Sequence, residues 1–196
     1  MIAHIWKHKK KYILGLISVL LFAGFSLFLF VYLDPNDIVQ WVGVENAYAL
    51  IFVVAIAGGF TTFNVIPYHL LLISLAVGGM NPFILGPLAA AGVTLGDTTS
   101  YFVGWQGRVI LPEGATKWFD RIFNKAKDRP KLFMFLFFLY STFMPTSNDL
   151  LTIPAGIARV PFWRVMIPLF LGNIIFDTVL AYFSTHAYDL VQRWFL

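Results

Sequence analysis

Residues 143–156, FMPTSNDLLTIPAG, place two prolines with Thr, Ser, Asn and Asp between the apolar run LFMFLFFLY and another that starts near Ile167. Proline removes a helical hydrogen-bond donor, and a broken backbone is tolerated at membrane depth only where protein buries it or water reaches it. The flanking limbs, LFMFLFFLYSTF (132–143) and LLTIPAGIA (150–158), are 12 and 9 residues long. As helices they reach about 18 and 14 Å at 1.5 Å per residue, short of the roughly 30 Å hydrocarbon core. Such a pair enters a bilayer and returns on the same side.

The rest of the chain is equally apolar. Hydrophobic residues make up 59% and charged residues 12%, with mean hydropathy +0.75. A globular domain carries about 25% charged residues, so this chain is too poor in charge to cover a water-facing surface and reads as an integral membrane protein. Cysteine is absent, which excludes disulfides and thiolate metal sites. The four histidines at 4, 8, 69 and 186 are too scattered for a metal site.

YILGLISVLLFAGFSLFLFVYL (12–33) is charge-free over 22 residues and long enough to span as an uncleaved anchor. YALIFVVAIAGGF (48–60) and HLLLISLAVGG (69–79) are again two short limbs, here around TTFNVIPY, whereas 83–105 is a full-length span. Charge sets the sides. Lys7, Lys9, Lys10 and Lys11 precede the first span and hold the N-terminus in the cytoplasm, leaving the linker 34–46 outside. Loop 106–131 carries Arg108, Lys117, Arg121, Lys125, Lys127, Arg129 and Lys131, so it is cytoplasmic. Basic residues clustered beside apolar segments fit membrane orientation and not a nucleic-acid surface. An odd number of crossings must then separate 46 from 106. That holds if 48–79 is a re-entrant hairpin from outside and 132–158 one from the cytoplasm, with 162–183 crossing outward.

The expected architecture is an all-α polytopic cell-membrane protein with two opposed re-entrant helical hairpins. Its segments are 1–46 (basic end, first span, linker), 47–105 (hairpin and span), 106–131 (amphipathic loop), 132–183 (hairpin and span) and the tail 184–196. In the loop, Trp118, Phe119, Ile122, Phe123 and Ala126 share one helical face, as suits a helix lying on an anionic leaflet. Aligning NPF (81–83) with VPF (160–162) overlays IPYHLLLISLAVGGMNPF on PTSNDLLTIPAGIARVPF without a gap. Opposite entry sides make this an inverted repeat, the arrangement in which transporters build binding sites near the midplane.

These segments, with LGDTTSYFVGWQGR (95–108), resemble the DedA family, also called the VTT-domain or SNARE-associated Golgi protein family. The resemblance covers about residues 47–183 and includes the spacing of Gly96, Asp97, Tyr101 and Gly104. It implies opposed hairpins and lipid movement across the bilayer, of polyprenyl-phosphate carriers in bacteria and phospholipids in eukaryotes. The chain departs from many bacterial members. Pro67-Tyr68-His69 stands where they have Pro-Gly-Glu, and Thr142, Pro145 and Asn148 replace an Arg-x2-Pro-x2-Arg pattern. Asp149-Leu150-Leu151 matches the Asp-Leu-Leu of some divergent members.

Candidate substrate-binding residues follow. Asp97 sits inside a span, where an ionisable group is a functional hypothesis by default, and Tyr101 and Thr94 share its face. His69 can pair with Asp97 or a phosphate when protonated. Asp149 caps the second limb or meets a headgroup, and Asp177 pairs with Asn173. Thr61, Thr62, Asn64, Thr142, Ser147 and Asn148 supply neutral polar groups at the breaks, which are set by Pro67, Pro145 and Pro154. Gly92, Gly96, Ser100 and Gly104 form a small-residue stripe for packing, against a hairpin or between two protomers of a homodimer. No HExxH, metal pair or Ser/His/Asp set appears. The expectation is therefore a lipid flippase or scramblase for an anionic headgroup, with or without proton coupling, whose partners are membrane lipids and which has no cofactor, metal or catalysis. An intramembrane lipid enzyme and a scaffold protein are the alternatives.

Overall fold

Residues 43–59, 68–144 and 146–195 are described by a computed structural model, side chains excepted at 45, 124–127 and 188–195. The expected first span at 12–33, and Thr61, Thr62, Asn64, Pro67 and Pro145, lie outside the described residues. Among the described residues the chain is all helix: α1 Val44–Gly59, α2 Tyr68–Val77, α3 Pro82–Gly107, α4 Glu113–Asp128, α5 Pro130–Phe143, α6 Asp149–Ile157 and α7 Phe162–Phe195.

Helix length divides these elements. α1, α2, α5 and α6 have 16, 10, 14 and 9 residues, about 24, 15, 21 and 14 Å, all below bilayer thickness. α3 and α7 have 26 and 34 residues. Within α7, Phe162–Ala187 is long and apolar enough to cross a membrane, with mean hydropathy 1.8. α3 is long enough too, but its glycines, threonines and Asp97 make it less apolar.

The same turn joins each second short helix to a long one. After α2, Gly79 adopts φ 88°, and the Met80 N–H reaches the Leu75 carbonyl at 3.1 Å. After α6, Arg159 adopts φ 52°, and the Val160 N–H reaches Ala155 at 3.0 Å. Both are left-handed caps that satisfy the last carbonyls of a helix. Glycine takes this conformation freely, whereas arginine does so at a cost of about 1–2 kcal/mol. The Arg159 guanidinium lies over the Trp105 ring, 5.4 Å from its centroid, which offsets part of that cost. Gly79 and Arg159 are 80 positions apart, one more than the NPF/VPF alignment implies. The helix starts keep the same separation, α3 at Pro82 and α7 at Phe162, so the turns and the long helices share one register that is a residue off the NPF/VPF alignment.

Packing is exchanged between the units. α1 lies along α3 and α5 along α7, while α2 packs on α7 and α6 on α3, and the two long helices pack on each other. Close approach relies on the expected stripe. A Cβ at Gly92 would meet the Phe52 carbonyl, one at Gly96 the Ile56 carbonyl, and one at Gly104 the Ile153 carbonyl. Ser100 is buried between them. The glycines thus receive α1 and α6 within one chain.

Two apolar clusters result. One gathers Ile51, Ala55, Leu72, Leu75, Leu85 and Val93 with Ala181; the other gathers Tyr101, Phe133, Phe137, Val160, Val165 and Leu169. Along α3 the first stops at Val93 and the second resumes at Tyr101. Along α7 the gap runs from Leu169 to Ala181. Asp97, Asn173 and Asp177 occupy those gaps, so a polar band lies between the two cores.

The amphipathic loop forms α4. Phe123 is buried and Phe119 packs against the second cluster, whereas Trp118 and Ile122 stay exposed. Arg108 ties this helix down: its guanidinium donates to both Asp120 carboxylate oxygens, at 2.8 and 2.6 Å, and to the Ile157 carbonyl at the end of α6, at 2.5 Å. Hydrogen bonding to Asp120 pushes the guanidinium pKa up, so the clamp keeps its charge.

Candidate functional site

The polar band encloses a cavity of about 120 Å3. That admits a few waters or a small polar group, and is below the size of ordinary drug-like sites. Asp97, Ser147, Asn148, Asp149, Asn173 and His69 line it, with Gly58 and Gly59 from α1. The long helices supply Asp97 and Asn173, the first turn of α2 supplies His69, and Ser147, Asn148 and Asp149 come from the turn that leads into α6 and from its first residue. Both short helices therefore direct their N-terminal, dipole-positive ends toward the cavity.

Asn148 is the hub. Its amide nitrogen donates to Asp97 Oδ2 at 2.7 Å and lies 3.4 Å from Asn173 Oδ1. Both partners are acceptors, which fixes the amide orientation. Asn173 in turn donates to Thr94 Oγ at 3.2 Å. A chain of hydrogen bonds thus runs from α6 through α7 to α3. Tyr140 steadies the approach to α6: its hydroxyl lies 2.7 Å from Thr146 Oγ and donates to the Ser147 carbonyl at 3.0 Å.

Asp149 opens α6, where a carboxylate suits the helix dipole. Its Oδ2 accepts from Ser147 at 3.0 Å, but Oδ1 is buried without a partner. Asp149 does not act as the expected cap. Asn148 holds the N-cap position in a helical conformation (φ −61°, ψ −18°) and makes no side-chain cap bond, while its amide nitrogen donates to Asp97.

Asp177 belongs to a second group. It is fully buried, accepts from the Tyr68 hydroxyl at 3.3 Å and lies 3.7 Å from His69 Nε2. The His69 ring rests on Tyr68 and meets Phe176 edge-on. Asp177 is thus served by α2, and the Asn173–Asp177 pairing expected from their spacing is replaced by these partners. His69 likewise faces Asp177 where Asp97 was expected.

Among the expected site residues, Asp97, Asn148, Asp149 and His69 come together. Tyr101 and Thr142 do not join them. The Tyr101 hydroxyl donates to the Val160 carbonyl at 2.6 Å and anchors the turn before α7, while Thr142 bonds the Phe138 carbonyl one helical turn back, at 2.8 Å. Pro154 is not a break. It lies inside α6, where its helical φ is compatible and only one backbone bond is lost; the Ala158 N–H still reaches the Pro154 carbonyl at 2.9 Å. Tyr68 went unread in the sequence, although a tyrosine opening an apolar limb after a proline marks a hydroxyl delivered to membrane depth. Among the described residues no three His, Cys, Asp or Glu side chains are grouped as for a metal ion.

Among the described residues one helix is long and apolar enough to cross a membrane, and buried carboxylates lie between two hydrophobic cores, an arrangement consistent with a membrane protein. Compared with known families, the chain matches the VTT domain over residues 51–186 and belongs to that family, the DedA/SNARE-associated Golgi proteins. No curated protein and no solved structure matches it.

Proposed function

We propose that this protein moves lipids across the bilayer, passing the headgroup through the polar cavity while the tails stay in hydrocarbon. The observation that carries the reading is the cavity itself, with Asp97, Asn148 and Asp149 held between two apolar cores. A polar headgroup left without partners in hydrocarbon costs several kcal/mol; these side chains replace part of its hydration.

Short helices support the same reading. α1 with α2, and α5 with α6, act as re-entrant pairs entering from opposite leaflets, outer and cytoplasmic respectively, and their repeated turns and exchanged packing make an inverted repeat. The protein is then a multi-pass transporter of the cell membrane, with a cytoplasmic N-terminus and no catalytic step. Proteoliposomes containing tail-labelled fluorescent phospholipid, with dithionite added outside, test it. Bleaching beyond the outer leaflet's share, dependent on the protein, is expected. If neither phospholipid nor polyprenyl phosphate moves, the function is wrong.

A further inference from the structure

The 80-residue spacing of the Gly79 and Arg159 turns extends to side-chain contacts. The Asn148 amide donates to Asp97 Oδ2 at 2.7 Å, and the Tyr68 hydroxyl donates to Asp177 Oδ1 at 3.3 Å. Positions 68 and 148 correspond at that spacing, and so do 97 and 177. In each case the start of a short helix delivers one donor to the buried carboxylate of a long helix. α2 serves α7, and α6 serves α3.

The α3/α7 crossing repeats at the same spacing, but with unequal residues. On one side Gly86 faces Thr178: a Cβ there would meet the Thr178 hydroxyl and lie 2.6 Å from its backbone nitrogen and Cα. The corresponding pair, Met166 and Thr98, lines an apolar groove of about 350 Å3, with Leu95 and Trp163 exposed along it. Glycine lets the helices touch on the first side, and methionine stands between them on the second. The polar site is unequal in the same sense. Among the described residues Asp97 lines the cavity and Asp177 does not, although its partners Tyr68 and His69 do. Asp177 Oδ2 and Thr178 Oγ are buried with no partner among the described residues. Unpaired buried oxygens are costly, so the closed side is held at an expense that opening it removes.

We propose that the chain has a second conformation in which the two halves exchange these roles. α7 rocks on α3, the Met166–Thr98 side closes, the Gly86–Thr178 side opens, and Asp177 replaces Asp97 on the cavity. Rocking of one repeat against the other is how inverted repeats present a site to alternate sides. Met166 suits the exchange, since its unbranched thioether repacks into a narrower gap. Gly86 and Met166 are then the residues that set the balance between the two states, and Asp177 is the counterpart of Asp97. This inference rests on the inverted-repeat reading and deepens it.

The test uses spin-label pairs in the full-length protein in proteoliposomes, where the absence of cysteine gives a clean background. Leu95→Cys with Trp163→Cys spans the groove, and Ile175→Cys with Phe83→Cys takes the corresponding positions on the closed side; all four residues are exposed. Electron paramagnetic resonance should give a longer main distance for 95/163 than for 83/175. Each pair should carry a minor component near the other's distance, up to about a tenth of the signal. Exchanging the two gatekeepers, Gly86→Met with Met166→Gly, should invert the order and make 83/175 the longer pair. Unchanged distances for both pairs in a monodisperse exchange variant overturn the second conformation. Should that variant be polydisperse, the otherwise unsubstituted chain decides: single distances in both pairs overturn the proposal, and paired minor components support it. Lipid movement with both pairs unchanged overturns this inference alone and leaves the function standing.

Discussion

Gly96 gives the most direct mechanical test of the fold. A Cβ there would meet the Ile56 carbonyl oxygen, and would lie 2.6 Å from the Gly59 carbonyl carbon and Cα. These are backbone atoms, which no rotamer change removes, so Gly96→Ala must push α1 away from α3. Overpacking of this kind costs about 1–3 kcal/mol, or a melting-temperature loss of about 2–12 °C for a chain of this size. Gly107 supplies the control, since it lies at the end of the same helix and a Cβ there meets nothing within 4 Å. Gly107→Ala should be neutral or stabilising, by up to about 1 kcal/mol from helix propensity. Thermal unfolding of the detergent-solubilised variants, followed by tryptophan fluorescence and size-exclusion retention, reads both. Equal melting temperatures for the two variants would refute the α1–α3 contact.

Two further perturbations address the site and its anchor. Asn148→Ala removes the 2.7 Å donor to Asp97 and should cost about 1–3 kcal/mol, while Asn148→Asp, which sets a carboxylate against a carboxylate, should be worse; the order of melting temperatures checks this. Arg108→Ala releases Asp120 and the Ile157 carbonyl together, at a cost of only about 1 kcal/mol because the ion pair is partly exposed. Hydrogen exchange should then speed up over 113–128 and stay unchanged over 85–97.

The sequence carried the elements whose causes are local. Short apolar limbs, the glycine spacing of α3 and the amphipathic face of α4 all follow from periodicity and length, and each has its counterpart among the helices described. Side-chain pairing was less legible because it is made between distant segments. Asn148 meets Asp97 across 51 positions and Tyr68 meets Asp177 across 109. Shared faces at three or four residues, such as Asp97 with Tyr101, say only that two side chains point the same way. Tyr101 found a closer acceptor in the Val160 carbonyl. Pro154 misled for a related reason: a proline breaks a helix only when the bond it removes is needed, and the short α6 is held by its packing on α3.

The account depends on two short-helix pairs entering from opposite leaflets, and the absence of native cysteine makes that directly measurable. Asn81 and Arg159 are exposed residues in the equivalent turns after α2 and α6. Single variants Asn81→Cys and Arg159→Cys, treated with a membrane-impermeant maleimide in right-side-out and inverted vesicles, report their sides. The expected result is labelling of position 81 from outside only and of position 159 from the cytoplasmic side only. Labelling of both from one side would contradict the opposed arrangement, and with it the lipid path through the cavity.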